Sequence, residues 1–197
     1  MGRVTSAPPQ PTRVVAGQPT QEDLHRMAAA APGALVTRHG SVNVRTRVAG
    51  RARNSTFWVC DVPFRLPGAT LARNEADLLA RMQDDHLARV GAIVVDGHLG
   101  PPGPLRVPVR LVVESRAARV AAMERHLLFS PAVDDPSFTP ELTLVVTPGL
   151  RVPGIGDGSA VAIWLDDGLT RVLGTDFFGE TKKALTRMWA ERVFDAG

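Results

Sequence analysis

Residues 174–189 read GTDFFGETKKALTRMW. A β-rich run expected as a strand over 170–174 ends at Gly174-Thr175, and a helix is expected to open near Gly179 and run to about Phe194. Glu180 suits that helix start, where negative charge is favoured. Lys182 and Lys183 do not, because cations in a first turn oppose the helix dipole. The chain has 23 basic residues; 21 are Arg, and these two adjacent lysines are the only others. Lysine is a compact donor that can lose its proton when desolvated, which arginine does not do. On a helical wheel Lys182 falls beside Leu185, Trp189 and Val193, with Lys183 about 100° away. The spacing alone leaves two readings open: a solvated pair, or one lysine partly buried while its neighbour projects elsewhere.

Outward from this segment, strands and helices interleave. Upstream, SAVAIWL (159–165) and 170–174 read as strands flanking the turn Asp166-Asp167-Gly168, and LTLVVT (142–147) as another strand. Strands are also expected over 33–38, 41–48, 55–61, 91–97 and 105–114, where Pro108 suggests an edge or a bulge. Thr20 reads as the cap of a helix over 21–31, since TQED places an acid at the third helical position. Asn74 reads as the cap of a helix to about Val90 whose Leu79, Met82, His86 and Val90 share a face. A further helix is expected over 116–128. DVPFRLPGAT (61–70) reads as a connector, and the Pro- and Asp-rich 130–140 as a loop. The expected fold is therefore a single α/β domain, with a mixed β-sheet and flanking helices over 21–197, preceded by a flexible segment over 1–20.

Composition excludes several classes. A single Cys, Cys60, rules out an internal disulfide framework and multi-Cys metal sites. No apolar run approaches the roughly 20 residues of a membrane span, and the polar, Pro-rich start has no leader-like apolar stretch. The expected setting is a reduced, cytoplasmic one without membrane partners. The sequence pI is about 9.9, yet the net charge is only +3, because Arg holds its charge to high pH. The arginines are dispersed, which argues against a nucleic-acid partner.

Other motifs read as structure. GIGDG (154–158) has a G-x-G spacing, but a strand follows it where a dinucleotide site needs a helix. No G-x-x-x-x-G-K-[ST] occurs around the two lysines. The five histidines show no helical metal spacing, and His86 reads as a core or edge residue. Asp84-Asp85, Asp134-Asp135 and Asp166-Asp167 read as solvated surface.

The segment GTDFFGETKK resembles the G-T-x-Y-x-G-E-x-K-K stretch of ATP-dependent phosphoenolpyruvate carboxykinase. FTPELTLVVTPGL, VPVRLVVESRAARVAAMERHLLFSP, GAIVVDGHLG and GALVTRHGSVNVRTRV resemble, in order and spacing, further stretches of that family's N-terminal domain. The likeness runs from about Gly33 to the end of the chain. It implies an N-terminal-domain-like fold. The family's reaction turns oxaloacetate and ATP into phosphoenolpyruvate, CO2 and ADP with Mn or Mg, in gluconeogenesis. By resemblance, Arg45 matches the substrate-binding arginine of T-G-R-S-P-K-D-K, and Arg suits a carboxylate because its fork binds bidentately. Lys183 matches the lysine that contacts metal and substrate, Lys182 its neighbour, and Gly179 and Glu180 the turn before the helix.

The departures bear on activity. Phe177 stands at the family tyrosine, so a phenol hydroxyl is missing. Only Arg45 survives of the T-G-R-S-P-K-D-K motif, within Asn43-Val44-Arg45-Thr46-Arg47. The family's P-loop, metal-binding His and Asp, and nucleotide domain have no counterpart in these 197 residues. Phosphoryl transfer rests on positioning and charge neutralisation by such groups. The expectation is a domain with weak or lost binding of a small dicarboxylate or phosphoenolpyruvate-like anion. It binds no ATP or metal tightly and has no activity of its own. The alternatives are a non-catalytic scaffold or regulatory module, or half of a split enzyme completed by a second chain bearing a P-loop.

Overall fold

The structure is a computed structural model that describes residues 9–46, 52–61, 67–128, 130–131 and 137–195. Its elements are β1 (Val14–Gly17), α1 (Gln21–Ala29), β2 (Ala34–Val36), β3 (Val42–Val44), β4 (Thr56–Val59), β5 (Ala69–Leu71), α2 (Arg73–Val90), β6 (Ala92–Leu99), β7 (Val107–Glu114), α3 (Ala118–Arg125), β8 (Ser130–Pro131), β9 (Leu142–Thr147), β10 (Ala160–Trp164), β11 (Leu169–Leu173) and α4 (Phe178–Asp195). Among the described residues, nine strands form one mixed sheet in the order β1-β6-β7-β9-β11-β10-β4-β5, with β8 paired to β6. Strands β7, β9 and β11 run parallel, while the β6–β7 and β10–β11 pairs are antiparallel. The expected single α/β domain with a mixed sheet is the observed architecture.

The central strands are buried on both faces, so their apolar residues are near-continuous and alternate between two cores. Val109, Leu111 and Val113 of β7, with Leu144 and Val146 of β9, join Leu24, Val120, Leu185 and Met188 from α1, α3 and α4. Val112 and Val145 point the other way, onto Leu79 and Leu87 of α2. The sheet is thus sandwiched between helix layers. Each fully buried Leu or Val contributes about 1.5–3 kcal/mol relative to exposure.

Local chemistry explains the helix ends. Thr20 caps α1 as expected: its hydroxyl accepts from the Asp23 N–H at 3.1 Å, and the Asp23 carboxylate accepts from the Thr20 N–H at 3.0 Å. The first helix position of α2 is Arg73, not a residue after an Asn74 cap. The Asp61 carboxylate reaches across from the end of β4 to accept the Arg73 N–H at 3.0 Å.

Several expectations change. Val14–Gly17, read as part of a flexible lead-in, pairs in parallel with β6; residues 1–8 lie outside the described residues. Ala69–Leu71, overlapping the end of the stretch read as a connector, is a strand on β4; residues 62–66 lie outside the described residues. Strand β7 is central rather than an edge. Pro108 is tolerated because pairing with β9 begins only at Val109, and the Pro108 carbonyl still accepts the Glu141 N–H at 3.0 Å. β3 ends at Val44, and its hairpin with β2 stands apart from the main sheet; Arg47 and Val48 lie outside the described residues. Of the loop read over 130–140, Ser130–Pro131 is β8, and residues 132–136, with Asp134-Asp135, lie outside the described residues.

The buried face of α2 is Ala76, Leu79, Gln83 and Leu87, rather than the Leu79-Met82-His86-Val90 face. A buried polar network shifts that face. Arg171 of β11 is buried, and its guanidinium donates to Gln83 Oε1 at 3.1 Å and to Asp84 Oδ1 and Oδ2 at 2.7 and 3.2 Å. Gln83 Nε2 in turn donates to Thr147 Oγ1 at 2.9 Å and to the Val172 carbonyl at 3.1 Å. Asp84 is therefore ion-paired rather than simply solvated, and so is Asp167, which Arg73 contacts at 3.4 Å.

Candidate functional site

Strands β7, β9 and β11 end side by side at Glu114, Thr147 and Leu173. In open α/β sheets, ligands bind outside the carboxyl ends of the strands. A cleft of about 670 Å3 lies there, lined among others by Arg45, His86, Glu114, Arg116, Arg119 and Gly149. Glu114 ends β7 and is 4% exposed. Its two oxygens accept from the Gly149 N–H at 3.0 and 3.1 Å, and Oε2 lies 2.8 Å from His86 Nε2. A Cβ on residue 149 would stand 2.8 Å from that carboxylate, so only glycine lets the β9 end approach so closely. His86, read as a core or edge histidine, is thus a partner of Glu114 at the cleft.

Two guanidiniums in the cleft have no protein anion. Arg45, just past β3, and Arg116, just past β7, are exposed, and neither makes an ion pair or hydrogen bond among the described residues. Arg119 is committed: it meets the buried Asp176 at 2.5 Å. Asp176 immediately precedes Phe177, so this pair connects the cleft to the GTDFFGETKK turn.

The other residues singled out in the sequence sit on that turn and on α4, and none of them lines the cleft. Phe177 and Gly179 are half-buried, and a Cβ on Gly179 would come within 2.7 Å of the Phe177 ring. Lys182 is exposed and Lys183 half-buried, so one lysine of the pair is partly buried while its neighbour projects to solvent. The buried stripe of α4 is Thr181, Ala184, Leu185 and Met188. Trp189 is half-buried, with its indole N–H donating to the Leu105 carbonyl at 2.8 Å, while Phe194 is 82% exposed.

Between α3 and α4 lies a buried carboxyl. Glu124 is 0% exposed, and burial pushes its pKa up to about 7 against the opposing Thr181 contact and Lys182 charge. The Thr181 hydroxyl bonds Glu124 Oε1 and also lies 3.0 Å from the Phe178 carbonyl. One hydroxyl has one proton. The Thr181 proton is shared between these two acceptors, and its donation to Glu124 is the contact that opposes the upward shift.

The family model for phosphoenolpyruvate carboxykinase matches residues 13–192. The chain belongs to the ATP-dependent phosphoenolpyruvate carboxykinase family. A search of the curated proteins finds no match to it. The carboxykinase match begins one residue before β1, upstream of the likeness from Gly33, and ends within α4. It corresponds to the N-terminal domain of the ATP-dependent enzyme.

The carboxykinase family implies a divalent metal and ATP. Among the described residues no three His, Cys, Asp or Glu side chains converge into a metal-ligand cluster. No P-loop sequence occurs in these residues either. The donors of the described residues do not fit either group. No helix among the described residues is long and apolar enough to cross a membrane.

Sequence reasoning missed Glu114, Arg116, Arg119 and Glu124 in this carboxykinase domain. Glu124 had a signal: it is spaced three and four residues from Ala121 and Val120, on the apolar face of α3. The His86–Glu114 contact spans 28 positions in sequence and has no local signature.

Proposed function

We propose that this carboxykinase-family domain binds a small dicarboxylate or a phosphoenolpyruvate-like anion weakly. These residues alone do not convert oxaloacetate and ATP to phosphoenolpyruvate. The observation that carries the reading is the position of Arg45, an unpaired guanidinium in a cleft at the carboxyl ends of parallel strands. Lys183, a ligand contact by family correspondence, is half-buried at the start of α4 and outside the cleft lining. Phe177 in place of the family tyrosine and the altered residues around Arg45 support weakened binding. The setting is cytoplasmic and the family's pathway gluconeogenic. The same departures favour, as a second reading, a scaffold or a half-enzyme completed by another chain.

Isothermal titration with oxaloacetate and with phosphoenolpyruvate, each with and without Mn2+, tests the binding. Heat at millimolar ligand is expected, lost in Arg45→Ala; silence at that concentration overturns retained binding. A decarboxylation assay with ATP tests the second clause, and turnover by the pure chain would overturn it. Recovery of a P-loop-bearing chain from the native host would favour the half-enzyme.

A further inference from the structure

The cleft holds more than a four-carbon dicarboxylate needs. A volume of about 670 Å3 falls in the roughly 300–1,000 Å3 range of pockets for drug-sized ligands. Its cationic groups are the free Arg45 and Arg116, which come from different elements and can hold separate oxygens. Among the described residues the one carboxylate in the cleft, Glu114, is turned to the Gly149 N–H and to His86 and does not cancel them. Beside these groups, Met27, Ala31, Val44 and Val90 line the same space while remaining half-exposed to water. A four-carbon dicarboxylate leaves such a wall wet, whereas a ligand with a hydrocarbon body covers it.

We infer that the cleft takes a carboxylate-bearing small molecule with an apolar body, its anionic end held by Arg45 and Arg116. His86, held by Glu114, adds a polar group to the same lining. The inference rests on the reading above for the role of Arg45, and adds Arg116 and the apolar wall as determinants of which carboxylate binds. A concave site that combines apolar side chains with placed polar groups is the common form of a small-molecule site.

The test is titration of the full chain with succinate, phenylsuccinate and oxaloacetate, repeated on Arg116→Ala. Arg116 is exposed and unpaired among the described residues, so the variant should keep the parent's thermal midpoint. The expected result is phenylsuccinate binding at least about fivefold tighter than succinate, since its ring removes apolar surface from water. Both should weaken by about fivefold or more in Arg116→Ala. Equal affinity for succinate and phenylsuccinate, or no change in Arg116→Ala, overturns this inference; oxaloacetate binding in that same experiment leaves the dicarboxylate reading standing. Phenylsuccinate binding without oxaloacetate binding supports the inference and overturns that reading. Silence with all three ligands overturns both.

Discussion

Arg119 and Asp176 meet at 2.5 Å, and the pair ties the start of α3, at the cleft, to the strand end that leads into α4. Asp176 is 1% exposed and Arg119 borders the cleft, so a cleft guanidinium is held against a buried carboxylate beside the α4 turn. Arg119→Ala is expected to destabilise the fold by about 3 kcal/mol, because it takes the ion pair away from a buried carboxylate. Asp176→Asn should cost less, since the amide is neutral. Urea denaturation checks both, and a loss under about 1 kcal/mol for Arg119→Ala would show the pair to be peripheral.

Glu124 makes stability depend on pH. Its folded pKa is raised to about 7 from the ordinary 4.5, first by burial. A raised carboxyl pKa means the folded state holds its proton longer than the unfolded chain does. Stability from this group is therefore complete below about pH 4.5, falls as pH rises toward 7, and is flat above. The full span is on the order of 3 kcal/mol. Glu124→Gln should remove that slope and leave the protein more stable than the parent at pH 8. Denaturation midpoints at pH 5.5 and 8 provide the check, and an unchanged slope in the variant would refute it.

Gln83 links α2 to two strands. Gln83→Leu leaves the Thr147 hydroxyl and the Val172 carbonyl without this donor, and takes one acceptor from Arg171. A loss of about 2 kcal/mol is expected by chemical denaturation. A neutral result would mean that water or a shifted side chain replaces the amide.

Phe177→Tyr restores the hydroxyl of the family motif. On the dicarboxylate reading, it should tighten oxaloacetate about two- to tenfold, the value of one neutral hydrogen bond. Titration of the variant beside the parent measures this, and an unchanged affinity would place residue 177 away from the ligand.

The motif that identifies the family was legible because it is local. GTDFFGETKK needs only a strand end, a glycine turn and a helix start, and all three are present. Helix α1 was legible for the same reason, since Thr20 and Asp23 satisfy each other three residues apart. The short strands at Val14–Gly17 and Ala69–Leu71 were not, because too few residues carry a period and their strand character comes from pairing with β6 and β4.

By itself the sequence determined the class of fold, the family, and the positions of Arg45, Lys182 and Lys183 along the chain. It also recorded the missing tyrosine hydroxyl, since residue type needs no coordinates. Only the tertiary structure decided which charges are free and which are spent. Arg45 and Arg116 are open in one cleft, Arg119 is bound to Asp176, and Lys183 rather than Lys182 is half-buried. Those states depend on contacts between elements far apart in the chain. A charge has no partner or desolvation cost until the fold places something beside it.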